Sequence, residues 1–240
     1  MGRASVTALS SGAIAARMET ADLDRRLVVS PILDPAAQIK PGQAAVDVRL
    51  GFDFCLVTAS RHGSIDEFGS ENPLESLSEL YRREFVPLGG RITIHPHQFM
   101  LAQTLEYLRL PSDLMAYVVG RSTWGRLGLI VATAVGIHPG FAGSLTLELR
   151  NLGETPLTLY PGQAVAQLFF HHVVDASGEP ASEKAAGTQY TGTVDMIPRR
   201  LSDAVTARKL RGLVRPHDRM STADEAGSET PTGADQNPFQ

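Results

Sequence analysis

The chain has 240 residues, room for one substantial domain or two small ones, and its 42% hydrophobic and 20% charged residues are ordinary globular usage. No apolar run approaches the roughly 18 residues of a membrane span, and a single cysteine, Cys55, excludes an internal disulfide and a multi-cysteine zinc site. The net charge of −4 conceals a basic stretch at 199–216 and an acidic one at 217–240; residues 1–198 carry 15 basic and 20 acidic groups, so no protein-wide positive field steers an anionic ligand.

No continuous apolar segment comes after Arg3, so no secretory signal is expected and the compartment is read as cytoplasmic. Ser10 and Ser11 are candidate caps of a short helix reaching about Arg26, with Ile14, Ala15, Met18 and Leu23 as a weak apolar stripe. Pro31, Pro35 and Pro41 interrupt any helix beyond it. From Ala44 the period changes: Val46, Val48 and Leu50 alternate with Asp47 and Arg49, as in a half-buried strand, and 52–57 continues it. Residues 61–83 are polar and irregular, with a helical turn expected near 74–81.

Short strand-like runs come next at 85–88, 91–94, 99–108, 114–119, 129–133, 145–149, 157–159 and 164–172, separated by Gly- and Pro-containing turns. Many short strands punctuated this way predict an all-β sandwich or barrel, and no βαβ alternation supports a Rossmann or P-loop fold. Residues 204–214 form a candidate basic amphipathic helix, and 221–240 have the composition of a disordered tail. The expected division is an N-terminal segment with a short helix at 1–26, a β domain at 27–201, a basic helix at 202–220 and an acidic tail at 221–240.

Phosphate-loop, dinucleotide, zincin and nucleophile-elbow motifs are absent. His95 and His97, or His171 and His172, could suggest a metal, but such spacings read more simply as turn and strand residues. The dense region is 120–170. There Arg121, Ser122 and Arg126 lie on a glycine-bounded turn that offers N–H groups, a hydroxyl and two guanidinium forks, suited to a phosphate or a polarised water. Further on, Thr146, Glu148 and Arg150 share one face of a strand and Leu145, Leu147 and Leu149 the other. From this pattern alone Glu148 reads as the solvent-facing residue of a half-exposed strand. Trp124 reads as packing beside the turn.

Six segments in order carry a resemblance. Residues 45–51 (AVDVRLG) look like a "TVDVRLG" strand, and His95-Pro96 with 99–104 looks like a "HPGEFALA" region. Residues 120–129 (GRSTWGRLGL) are similar to "GRSSLARLGL". Pro139-Gly140-Phe141 and Leu147-Glu148 fall at the spacing of "IDPGW…VLEF", and Pro161-Gly162 matches an "RPGM" turn. From about Leu27 to Leu201 the chain resembles the dCTP deaminase branch of the dUTPase-like superfamily.

That resemblance implies a distorted β-barrel or jelly-roll-like subunit, a homotrimer with active sites between subunits, and hydrolytic deamination of dCTP or a close cytosine nucleotide without zinc. In it Glu148 is the general acid and base, Ser122 and Arg126 hold the attacking water, and the backbone at Ala134 completes its cage. Arg126 close to Glu148 would keep the carboxylate ionised. Substrate contacts would come from Arg121, Ser122, Thr123, Gly125, Arg126, His138, Thr146, Leu147, Glu148, Gln189, Tyr190 and Thr193. Mg²⁺ would accompany the triphosphate, bound mainly by its oxygens. Neither a membrane nor a nucleic acid is an expected partner.

The chain departs from that pattern at three positions. His138 stands where the resemblance puts an aspartate, Gln189 where it puts a lysine and Thr193 where it puts a glutamine. A neutral histidine can accept one hydrogen bond from a sugar but replaces a carboxylate base poorly, which argues against dUTP hydrolysis as the main activity. Two alternatives stay open beside the deaminase: a non-catalytic nucleotide-binding or regulatory trimer, and a trimer that kept only the fold.

Overall fold

A computed structural model describes residues 8–58, 80–133 and 136–174. The helix expected at 204–214 and the tail at 221–240 lie outside these residues, as do most of the turn at 74–81 and, at the site, Ala134, Gln189, Tyr190 and Thr193. Along the described chain run α1 (Ser11–Glu19), β1 (Val28–Ser30), α2 (Pro35–Gln38), β2 (Val46–Val57), β3 (Tyr81–Phe85), β4 (Ile92–Ile94), β5 (Phe99–Arg109), β6 (Leu114–Gly120), α3 (Ser122–Gly125), β7 (Leu129–Val131), β8 (Gly136–Ile137), β9 (Ala142–Asn151), β10 (Leu157–Leu159) and β11 (Ala164–His172). The fold is mainly β, a curled half-barrel sheet, as the short punctuated strands predict.

In the large sheet the strand order is β7-β9-β5-β2-β11-β6-β8; β1 adds to β5 and β3 to β2, while β4 and β10 form a separate antiparallel pair. Every pairing is antiparallel. The core gathers the inward residues of β2, β5, β6, β9 and β11, among them Val46, Val48, Leu50, Phe54, Leu147, Leu149, Leu168 and Phe170, all fully buried. On β9 the predicted faces hold: Leu145, Leu147 and Leu149 point inward, whereas Thr146 and Glu148 are half-buried and Arg150 is exposed.

Central strand β2 is covered on both faces, so its polar residues must find partners inside. Arg49 donates through Nε to Glu106 Oε1 at 2.6 Å, and its backbone N–H reaches Glu106 Oε2 at 2.8 Å. Gln38, at the end of α2, donates to the same Glu106 oxygen at 3.2 Å and to the Asp47 carbonyl at 3.3 Å, while its own oxygen accepts from Leu33 N–H. Glu106 faces the interior in step with buried Thr104 and Leu108, where β5 is irregular: Thr104 Oγ1 donates to the Glu106 carbonyl and accepts from Leu145 N–H, and the β5–β9 register shifts between Gln103 and Tyr107. Opposite, a Cβ on Gly51 would stand 3.0 Å from the Gln103 carbonyl oxygen, a tight contact that the β5 backbone would have to yield to accept.

Ser10 caps α1 by accepting from Ala13 N–H. The helix stops at Glu19, short of the expected Arg26, because the next residues make a tighter turn: Asp22 accepts from Asp24 N–H through its side chain and from Arg25 N–H through its carbonyl. Arg17 then clasps the returning Arg25 carbonyl with two N–H groups, and Leu23, expected on the apolar stripe, is 61% exposed. Ile14 is fully buried in the β core, so α1 is part of the same packed unit. The 85–88 segment pairs earlier than expected, from Tyr81, against β2, and the expected 129–133 strand ends at Val131.

Arg17 also grips Asp113 bidentately at 3.0 and 2.6 Å, with Arg25 at 3.6 Å. Burial works to raise the Asp113 carboxyl, but the Arg17 hydrogen bonds and the charges of Arg17 and Arg25 outweigh it and hold the group below its ordinary value of 3.8. A carboxylate depressed on folding contributes stability above its unfolded pKa and loses that contribution as pH falls through the folded pKa. Asp113→Asn is therefore expected to cost about 1–3 kcal/mol at neutral pH. In urea denaturation the gap to the parent should close as pH drops below 3.8; a gap constant with pH would mean that the arginines do not hold the charge.

Candidate active site

The turn singled out in the sequence is fixed at both ends. Strand β6 ends at Gly120, and Arg121 N–H donates to the Val165 carbonyl on β11 at 2.9 Å. One turn of helix, α3, comes next; the Trp124 ring packs on the core and its Nε1 donates to the Ala164 carbonyl at 3.0 Å. The far end is set by glycine: Gly128 has φ 93°, and a Cβ there would lie 2.5 Å from Gly153 N, a separation no side chain survives. Leu152 N–H donates to the Gly128 carbonyl, and the Gly153 turn is held in place by buried Asn151, whose amide group spans the Ile94 and Thr155 carbonyls. Ser122, Thr123, Gly125 and Arg126 are thus exposed on a rigid turn.

Beside that turn lies a cleft of about 410 Å³ lined by Arg121, Ser122 and Thr123, by Lys40, Gln43, Ala44 and Ala45 of the α2–β2 connection, and by Gln167 and Phe169 of β11. Behind it sits buried Asp47. Its Oδ2 faces Arg121 Nη1 at 3.1 Å and Lys40 Nζ at 3.3 Å, and its Oδ1 accepts from Gln167 Nε2 at 2.6 Å. Two cations therefore share one carboxylate, leaving a net positive charge at the wall, with the Ser122 and Thr123 hydroxyls alongside. This chemistry suits a phosphorylated ligand.

Glu148 stands apart from this cleft. Its backbone is locked against the end of β7, the N–H donating to Thr133 Oγ1 at 2.8 Å and the carbonyl accepting from Ala132 N–H at 2.7 Å. Burial pushes its carboxyl above the ordinary 4.5. Within the single subunit, among the described residues, no cation pairs with Glu148, the expected Arg126 included, and no hydrogen bond joins it to Ser122. The raised value is the reverse of the ionised carboxylate that an adjacent guanidinium would enforce. Glu148 is nevertheless more covered than a freely solvated strand residue.

Of the remaining expected contacts, Thr146 is half-buried on the face of Glu148, Leu147 is fully buried in the core, and His138 is exposed on a turn where its carbonyl accepts from Phe141 N–H. Leu147 therefore offers a ligand its backbone only. The histidine pairs are turn and strand residues: His97 has φ 62°, and His171, near the end of β11, stands edge-on to Tyr117. Sequence reasoning passed over Lys40, Gln43, Asp47 and Gln167. The one available signal was Asp47, an acid in a strand otherwise heading for the core.

The matched family is described as dCTP deaminase-like, and its model spans residues 8–173. A dCTP deaminase, dUMP-forming, of Dictyoglomus turgidum is 40% identical over 168 residues, 70% of this chain and 82% of the relative. A dCTP deaminase of Haloarcula marismortui is 37% identical over 185 residues, 77% and 89% of the two chains. Among solved structures, the 2′-deoxycytidine 5′-triphosphate deaminase of Agrobacterium tumefaciens superimposes with a TM-score of 0.52 at 23% identity over 70% of this chain and 47% of that one, a likeness of fold. Together with the Arg121–Leu129 turn and the Glu148 strand, these matches place the chain in the dCTP deaminase-like family.

Proposed function

We propose that this protein deaminates dCTP hydrolytically, with Glu148 as the group that moves protons. The observation that carries the reading is a half-buried carboxylate on β9 whose pKa is raised by burial, in a chain of this family. A base that must later act as an acid works best when its pKa approaches the operating pH. Glu148 takes a proton from water as the oxygen adds to C4 of the cytosine ring. It passes that proton to the ring nitrogen N3, takes the second from the new C4 hydroxyl and delivers it to the exocyclic amine, so that the C4–N bond breaks, ammonia leaves and the C4 carbonyl of a uracil base remains.

The phosphates belong in the cleft of Arg121, Ser122 and Thr123. Mg²⁺ enters with them as part of the substrate, held by phosphate oxygens, because the carboxylate nearest the cleft cations, Asp47, already faces three donors. Glu148 lies outside the lining of that cleft, which supports a homotrimer whose active site is completed between subunits, Ser122 and Arg126 of one chain holding the water for Glu148 of the next. Tyr117 and Val119, both exposed on the outer face of β6 beside half-buried Phe169, offer apolar surface for such an interface. A cytoplasmic enzyme of deoxynucleotide metabolism is the setting this reading implies.

The name of the Dictyoglomus relative favours a second reading, in which the same site also removes diphosphate and releases dUMP. His138, lacking a carboxylate to activate water at the α-phosphate, speaks for dUTP as the product instead. Incubation with dCTP and Mg²⁺, with ammonia assay and ion-exchange separation of products, distinguishes dUTP, dUMP and no turnover; the last would overturn the proposal. Glu148→Gln should lower kcat by about 10²–10⁴-fold with the oligomer intact by light scattering, and a fully active variant would remove Glu148 from the chemistry.

The same substitution should act on stability with the opposite sign. A carboxyl raised on folding destabilises the native state increasingly as pH climbs from the ordinary 4.5 through the raised value. Glu148→Gln is therefore expected to unfold at a higher temperature than the parent at neutral pH, and the advantage should vanish below pH 4.5 in scanning calorimetry. Equal Tm at every pH would mean that burial leaves the carboxyl unstrained.

A further inference from the structure

We propose that Lys40 is a second phosphate-binding cation of the cleft, acting as a pair with Arg121 across Asp47. This deepens the reading above, since it rests on the cleft as the phosphate site. Lys40 and Arg121 come from different elements, one from the α2–β2 connection and one just past the end of β6, and both face the same oxygen of Asp47. Like charges held so close repel, and such a pair is maintained without ligand only because a buried anion stands behind them. Asp47, 4% exposed, is that anion.

The donors left over point to the ligand. Lys40 gives one of three ammonium hydrogens to Asp47, and Arg121 has no other side-chain partner among the described residues. Their side chains are 36% and 29% exposed, open to the cleft but partly withdrawn from solvent, where a phosphate contact is stronger than at a free surface. Gln43, Gln167, Ser122 and Thr123 add neutral polar groups around them, and the cleft volume lies within the roughly 300–1,000 Å³ of small-molecule sites.

Lys40 is also preorganised. Two residues earlier Gln38 is buried in the Arg49–Glu106 network; two residues later Gly42, at φ 79°, turns the chain, and Gln43 N–H closes the turn onto the Lys40 carbonyl at 3.1 Å. The Gln43 carbonyl accepts in turn from Ser11 N–H, so the loop is tied to α1. A lysine on a loop so anchored loses less freedom on binding than one on an open surface.

The test is calorimetric titration of the purified protein with inorganic tripolyphosphate at fixed low salt, a readout that needs no turnover. Lys40→Gln should weaken binding by about 10-fold or more, while Lys40→Arg stays within about 3-fold of the parent. Arg82→Gln removes a positive charge from exposed β3, where Arg82 pairs with Glu84, and should leave the affinity unchanged. With dCTP, Lys40→Gln should raise KM with kcat retained, the pattern of lost ground-state binding.

If the parent binds tripolyphosphate through Lys40 yet turns over no dCTP, the inference stands and the deaminase reading falls. If the parent deaminates dCTP but Lys40→Gln changes neither tripolyphosphate affinity nor KM, the reading stands and the inference falls. Failure of the parent to bind tripolyphosphate, or an equal loss in Arg82→Gln, would likewise overturn the inference.

Discussion

The Arg49–Glu106 pair is the constraint around which the rest of the molecule is arranged. Strand β2 runs through the middle of the sheet with both faces covered, and a charged side chain there survives only with its counter-charge and its remaining hydrogen bonds in place. Glu106 meets that demand from the inward face of β5, in step with buried Thr104 and Leu108 and within the break in the β5–β9 register. Gln38 joins the pair and fixes the end of α2. Through that connection an interaction deep in the core sets the position of Lys40 and Gln43 at the mouth of the cleft.

Three carboxylates show how environment divides one chemistry into separate tasks. Glu106 is wholly buried and satisfied by a guanidinium, an amide and a backbone N–H, which makes it structural. Asp47 is nearly as buried but faces outward partners, so its charge is spread over two cations that line a cavity. Glu148 is only half-covered and has no cation beside it among the described residues, so its charge is the least supported of the three. Burial pushes the Glu148 carboxyl above its ordinary value, the property on which the role proposed for it draws.

Much of the β framework was legible because alternation on β2 and β9 and the Gly-Pro punctuation act locally, on residues adjacent in sequence. The helical end at Glu19 was not, since it depends on Arg17 reaching across to Arg25 and Asp113, contacts that no window of neighbouring residues contains. The site divides the same way. The 121–129 turn announces itself through its glycines and arginines, whereas Lys40 and Gln167 reach it from separate elements with no local signature, and Asp47 shows only as an acid in a strand otherwise heading for the core. Glu148 was found by likeness to a family; its strand pattern alone described an ordinary surface residue, and what distinguishes it is partial burial without a counter-charge. Arg126 and Glu148 do not pair within one subunit, since proximity in a motif does not fix proximity of side chains in a single chain.

Trp124 is the only tryptophan in the sequence. It lies two residues beyond Ser122, its ring against the core and its indole N–H committed to the Ala164 carbonyl. All indole emission from this molecule therefore originates on the turn that borders the cleft. The chain carries an intrinsic optical reporter at the edge of that cleft, one whose hydrogen-bonded, half-shielded indole would register a shift of the turn without any attached dye.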